Sequence, residues 1–319
     1  MRSRLVMILA VALAVVAVAV TGSRLAARYA APDHPPAHAA LPSALAAYLG
    51  VFAPGAPPDF DAITTFSKAA GRQPNLIGYY TGWAAPFDTS FADGIHNHGA
   101  IPFVQIDPTD ASITALANGT YDVYLRSYAE SVRDFGHAIV IGFGHEMNAP
   151  WYSWGYGHVP AATFIAAWRH LVTLFREEGA GNVTWLWTIQ ANEAGTGSIL
   201  SWWPGPQYVT WVGVDGYYYR PSDTFASVFG TTIDQVRTFT SKPVLLSETA
   251  VGPVAGQFVK IQDLFRGMTA YKTLGLVWFD EDQHGGITRQ DWRLEDSAYA
   301  EASFRLGVQD DLTPYSPVG

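Results

Sequence analysis

The 319-residue chain contains no cysteine, which excludes disulfides, thiolate nucleophiles and Cys-ligated zinc. Charge is also scarce. Only 15% of residues are charged, the formal balance is −9, and there is no long basic run, so nucleic acid is excluded as the main partner and a neutral substrate fits better. The segment VFAPGAPPDF after the first apolar run carries no Gly-rich phosphate loop, which argues against a doubly wound dinucleotide-binding sheet. No internal repeat is visible beyond an alternation of strand-like and helix-like segments. What is abundant is apolar and aromatic material: 49% of residues are hydrophobic and eleven are Trp, enough for one large core. Length alone suggests about two domains, yet a single (β/α)8 barrel of roughly 250 residues would nearly fill the chain.

The N-terminus is a targeting segment. MRSR is basic, and Leu5 to Val20 is an apolar run of sixteen residues, long for a signal core and short for a full span. Small-residue cleavage sites occur at Ala17 to Ala19 and Ala37 to Ala39, whereas Arg24 and Arg28 resemble the flank of an anchor. We expect a signal peptide or a single N-terminal membrane anchor over residues 1–30, with the rest exported, secreted or held outside the membrane as a monomer. Residues 31–43 are a Pro- and Ala-rich linker, 44–308 the folded domain and 309–319 a C-terminal tail.

Eight short apolar or β-branched runs follow: YLGVFAPG (48–55), LIGYYTGW (76–83), IPFVQIDP (101–108), AIVIGFGHE (138–146), VTWLWTIQ (183–190), YVTWVGVDGYY (208–218), KPVLLSETA (242–250) and LGLVWFDED (274–282). Between them lie helical patterns, notably 121–136, 160–179 and 254–275, with Pro160 and Gly179 placed as start and stop. Strands alternating with helices pair in parallel, and continuous apolar strands are buried on both faces. Eight such units close most simply into an α/β fold of the (β/α)8 TIM-barrel type.

Barrels of this kind build their sites from the C-terminal ends of the strands. There the polar and aromatic residues collect: Trp83, Asp107, His145, Glu146, Gln190, Asp215, Tyr217, Glu248, Trp278 and Asp280. Glu146 closes the fourth run and Glu248 the seventh, and strand ends three positions apart around a ring of eight can share one mouth. Two carboxylates facing each other across a cleft are the minimal equipment for glycosidic cleavage, and the retaining form needs them roughly 5 to 5.5 Å apart. It needs no metal or organic cofactor.

The strings GHEMNAPWYSWG at 144–155, VGVDGYY at 212–218 and LLSETA at 245–250 resemble glycoside hydrolase family 26, the resemblance running from about Tyr48 to Asp296. It implies a retaining endo-β-glycanase in which Glu146 is the acid/base and Glu248 the nucleophile. Tyr217 would donate its hydroxyl to the nucleophile, Trp151 would line the subsite of the attacked sugar, and His145 would stand where the wider clan has an asparagine. Glu146 must hold a proton for the leaving oxygen, which a negative Glu248 nearby would favour, and must release it once the sugar is bonded to Glu248. Trp151, Trp154 and Trp278 would serve as sugar platforms, with Tyr152, Tyr218 and Asp215 at the edges and Trp83, Trp202 or Trp203 extending the groove.

Departures from the pattern bear on substrate. Many mannan-cleaving members carry Trp-His on the third strand, where this chain has Gln105, Ile106 and Asp107, and the eighth run with its Asp291 to Arg293 looks more like members acting on mixed-linkage glucan. The expected order is β-1,4-mannan, then mixed-linkage β-1,3-1,4-glucan, then β-1,3-xylan. A barrel that binds polysaccharide without cutting it is the rival from another class, as is an anchored structural protein. An H-E-x-x-H zinc site fails because position 149 is Ala. His96 and His98 read as an exposed helix end, at most one of Trp185, Trp187 and Trp211 belongs to the site, Asn118 and Asn182 head short glycosylation patterns, and Asp107, Glu193 and Asp280 are left without a role.

Overall fold

The structure is a computed structural model and describes residues 41–191, 197–283, 290–313 and 315. The expected signal or anchor segment, most of the linker, Glu193 and the end of the tail lie outside the described residues. Eight parallel strands close into one barrel in chain order: β1 (Tyr48–Phe52), β2 (Leu76–Gly82), β3 (Ile101–Asp107), β4 (Ile139–Phe143), β5 (Val183–Gln190), β6 (Trp211–Asp215), β7 (Val244–Thr249) and β8 (Gly275–Phe279). Each falls within one of the eight runs. The surrounding α-helices are α1 (Asp61–Ala70), α2 (Thr89–Asn97), α3 (Ile113–Ala117), α4 (Asp122–Phe135), α5 (Ala161–Glu177), α6 (Thr231–Arg237), α7 (Gln257–Ala270) and α8 (Ala298–Asp311). Among the described residues no helix is long and apolar enough to cross a membrane.

The two-residue period of a strand divides the core into two layers. Tyr48, Phe52, Leu76, Phe103, Val140, Leu186, Trp211, Leu245 and Val277 fill the barrel interior. Their strand neighbours Leu49, Val51, Ile77, Val104, Ile141, Trp185, Trp187, Val212, Val244 and Trp278 pack outward under the helices. Gly275 closes the ring, since its φ is 145° and an added Cβ would lie 1.9 Å from the Tyr48 carbonyl on the paired strand.

One crossover departs from strict alternation. Between β5 and β6 the described residues form only short 3-10 turns, Ile199–Trp202 and Pro206–Tyr208, and the aromatic rings of Trp202 and Trp203 cover that side of the barrel. The last helix runs through Asp311, past the expected end of the domain. Beyond it Thr313 and Tyr315 donate backbone hydrogen bonds to Ala46 and Ala47, so this part of the tail is fastened beside β1.

Candidate active site

The loop after β4 is built to turn sharply. β4 ends at Phe143, three residues before Glu146, and Gly144 and Glu146 both take left-handed backbone angles, φ 54° and 53°. Glycine adopts that conformation freely; a glutamate there is strained and needs its surroundings to hold it. They do so in three ways. The Glu146 N–H donates to the Thr188 carbonyl on β5 (3.0 Å), the Asn148 side chain both accepts from the Gln190 N–H and donates to the Gln190 carbonyl (2.9 Å each), and the Trp154 indole donates to the His145 carbonyl (2.9 Å). Gly142, one residue before the strand end, leaves room for the Gln105 amide, which a Cβ would meet at 1.9 Å.

Glu248 is aimed by a different device. On β6 the step from Gly213 to Asp215 pairs with the step from Leu245 to Glu248 on β7, and on the other side Leu246 to Thr249 pairs with Leu276 to Trp278. β7 therefore carries one extra residue, a β-bulge. Bulges re-aim side chains, and this one turns Ser247 and Glu248, which simple alternation would send to opposite faces, both to the interior. There Ser247 Oγ donates to Asp215 Oδ1 (2.5 Å), with Gly213 making space beneath it.

The two glutamates share one set of neighbours at the C-terminal end of the barrel. Glu248 accepts from the Tyr217 hydroxyl (2.6 Å) and from the Tyr80 hydroxyl; Glu146 accepts from the Trp151 indole (2.6 Å). The His145 ring lies 5.5 Å, centroid to centroid, from that of Tyr80, and both carboxylates favour a charge on its imidazole. Both glutamates are nearly buried, while Trp151, whose indole reaches Glu146, is 46% exposed. Burial, reinforced by Glu248 and Asp215, pushes the Tyr80 and Tyr217 hydroxyls well above their ordinary range, so both stay protonated donors. Asp215 is fully buried below them, and burial with the nearby Glu248 and Glu146 pushes its carboxyl well up. Among the described residues no cluster of three or more His, Asp or Glu could hold a metal ion.

Residues 119–307 match the sequence model of glycosyl hydrolase family 26. The chain belongs to that family. Endoglucanase H of Acetivibrio thermocellus is 30% identical over 271 residues, covering 80% of this chain and 29% of that protein. The β-1,3-xylanase TXYA of a Vibrio species is 23% identical over 205 residues, covering 60% of this chain and 43% of its own length. The chain therefore spans less than half of either relative. Among solved structures, a Bacillus subtilis mannanase superposes with a TM-score of 0.62 at 17% identity, covering 85% of this chain and 87% of that one. A family 26 protein from a Muricauda species gives 0.60 at 15% identity, covering 87% and 93%. At such identities the superpositions speak for the barrel fold alone.

In this family 26 barrel the residues singled out from sequence separate into two groups. Glu146, Glu248, His145, Trp151 and Tyr217 come together, and Trp83 stands half-buried at the end of β2 with its ring edge-on to Tyr121 and Tyr124. Trp278 does not join them. It is 1% exposed, points outward from β8, packs on Phe304 of α8 and donates its indole N–H to the Trp292 carbonyl (2.9 Å), so no sugar can stack on it. Strand parity gives the inward place to its neighbour Phe279, which stands 5.8 Å from the Tyr217 ring. Asp215 lies under Glu248 without reaching a sugar's edge, Tyr218 is buried with its hydroxyl on Asp263 (3.2 Å), and Trp154 and Trp202 are core residues. Asn182 is no glycosylation acceptor either: its buried amide donates to the Val132 and His137 carbonyls (2.8 Å each).

Two site residues were missed from sequence. Tyr80 could have been found from parity, since it shares the inward face of β2 with Leu76. Trp292, whose ring backs Tyr217 at 5.0 Å, carries no local signal, and Asp107, left without a role from sequence, meets His145. Asp280 turns out to be a tether: its Oδ1 accepts from the Leu294 N–H (2.8 Å). His98 ends α2 with its ring stacked on Phe60, and His96 stacks on His137.

Proposed function

We propose that the chain is a retaining endo-β-glycanase that hydrolyses an exposed polysaccharide by double displacement, with β-1,4-mannan as its first substrate. The observation that carries this reading is the pair of phenols on Glu248. Both oxygens of Glu248 accept phenol hydrogens, an arrangement suited to an ionised carboxylate that only accepts, and hence to a nucleophile. Glu146 lies at the same end of the barrel with the half-exposed Trp151 indole donating to its Oε2, and an acid that must give up and regain a proton has to stand where substrate can reach it.

In the first step a Glu248 oxygen bonds to the anomeric carbon, the glycosidic C–O bond breaks, and the leaving oxygen takes the Glu146 proton. In the second, Glu146 removes a proton from water, the resulting hydroxyl attacks the same carbon, and the ester bond to Glu248 breaks. Inversion twice returns the β configuration. Trp151, half exposed beside Glu146, offers an indole face to the sugar's C–H surface.

The string GHEMNAPWYSWG supports mannan. A second reading, a β-glucan, is favoured by the 80% coverage of this chain by Endoglucanase H and by Asp107 at the end of β3. β-1,3-Xylan is third, on the strength of the Vibrio xylanase. The basic start and sixteen apolar residues further support export with the barrel outside the membrane; recovery of the activity in the cytosolic fraction alone would refute that.

The decisive assay measures new reducing ends from mannan, lichenan and β-1,3-xylan for the wild type and Glu248→Ala. We expect release from at least one polymer, a loss of about 10³-fold or more in the variant, and the β anomer as first product by proton NMR. No release from any polymer at high enzyme would favour a binding barrel, and undiminished release by Glu248→Ala would remove Glu248 from its role.

A further inference from the structure

Asp107 ends β3, and its Oδ1 lies 2.8 Å from His145 Nδ1; His145 Nε2 in turn lies 3.0 Å from the Tyr152 hydroxyl oxygen. The three groups form a chain from a strand end into the acid loop. With a carboxylate on Nδ1, that nitrogen carries a hydrogen and donates. What Nε2 does depends on the charge of the ring. In a neutral ring Nε2 accepts, and Tyr152 spends its hydroxyl hydrogen on it. In an imidazolium Nε2 donates to the phenol oxygen, which frees the phenol hydrogen for another acceptor.

The surroundings choose between these states. The charged groups facing the ring are Asp107 from β3, Glu248 from β7 and Glu146 from its own loop, and its remaining neighbours are the rings of Tyr80 from β2 and of Tyr152 and Trp154 from the loop. Burial opposes a charge on His145, but Asp107, Glu248 and Glu146 reverse that effect and raise the imidazole from 6.5 to about 9. Tyr152 cannot swing away, because its ring lies flat on Trp154 at 4.4 Å and 7°. Its hydroxyl keeps its hydrogen, held up by burial and by the neighbouring Glu146 and Glu248.

We propose that Asp107 is a positioning residue of this site: it clamps His145 so that Nε2 donates to Tyr152, and Tyr152 thereby presents its own hydroxyl hydrogen to a sugar oxygen in the cleft. The inference rests on the glycanase reading for its last link only. Asp107 acts through His145 and need not touch substrate; Tyr152 is the contact.

The full chain labelled with ¹⁵N- and ¹³C-histidine, with the His145 signals assigned by difference against His145→Asn, tests the clamp by NMR without reference to activity. His145 should show two protonated nitrogens up to about pH 9, and Asp107→Asn should move its midpoint down by at least one pH unit. A wild-type midpoint near 6.5, or no movement in Asp107→Asn, would overturn the clamp whether or not the protein cuts a glycan. On the polymer that is hydrolysed, the alkaline limb of kcat/KM should move down with the NMR midpoint in Asp107→Asn. Tyr152→Phe should lower kcat/KM about tenfold, the loss of one hydrogen bond. Full activity in Tyr152→Phe would overturn the sugar contact while leaving the clamp to the NMR result.

Discussion

At the scale of single residues, the candidate site centres on two acidic side chains. Glu146 and Glu248 are chemically identical, yet one accepts from an indole and the other from two phenols that burial keeps protonated. Removing one phenol should therefore weaken Glu248 in its proposed role of nucleophile while leaving the barrel intact. A hydrogen bond to a charged group is worth about 1.5 to 3 kcal/mol, so Tyr217→Phe and Tyr80→Phe should each lower kcat about 10- to 100-fold with KM little changed. Steady-state kinetics on the preferred polymer checks this, and wild-type kcat in both variants would deny the phenols their role. The residue types were legible in the sequence because carboxylates and aromatics crowd the ends of apolar runs. The orientation of each was less so. Trp278 and Phe279 are adjacent, and only the facing of β8 decides that the tryptophan packs under α8 while the phenylalanine meets Tyr217.

At the scale of elements, alternation of apolar runs and amphipathic helices was enough to identify all eight strands, since burial on both faces leaves an uninterrupted apolar signature. The β7 bulge was not legible. It arises from register against two neighbouring strands, and nothing in VLLSET marks an extra residue. That the described residues between β5 and β6 form only 3-10 turns was equally hidden, because Trp202 and Trp203 supply the apolar cover that a helix would otherwise give. Closure of the ring depends on one residue in particular. An alanine at Gly275 would have to adopt a φ of 145° with its Cβ 1.9 Å from the Tyr48 carbonyl, a backbone atom with no freedom to move aside. Gly275→Ala should cost about 3 kcal/mol or more and lower the melting temperature by roughly 6 °C or more. Calorimetry showing an unchanged transition would mean that β1 and β8 are not joined in this register.

At the scale of the whole molecule, buried ionisable groups set how stability depends on pH. Burial, opposed by the Leu294 N–H and aided by Glu295, raises Asp280 from 3.8 to about 8, and His145 stands at about 9. Both folded values lie above the unfolded ones, so each group adds stability that is complete below its unfolded value, 3.8 or 6.5. That stability is lost as pH rises through 8 and 9. Asp215 is pushed up by burial and acts in the same direction. The melting temperature should therefore decline between about pH 4 and pH 9, and Asp280→Asn, which keeps an acceptor for Leu294, should flatten the portion up to pH 8. Thermal melts at constant ionic strength check the sign; a midpoint that climbs from pH 5 to 9 would contradict it. The sequence by itself determined the barrel and the end of it where polar residues gather, the two glutamates proposed for catalysis among them, because hydrophobic periodicity and residue chemistry are properties of short segments. Tertiary structure alone decided which hydroxyls reach Glu248, that Asp107 holds His145 and that Trp278 faces away from the cleft. Those outcomes depend on strand register and on contacts between residues far apart in the chain, and a linear reading contains neither.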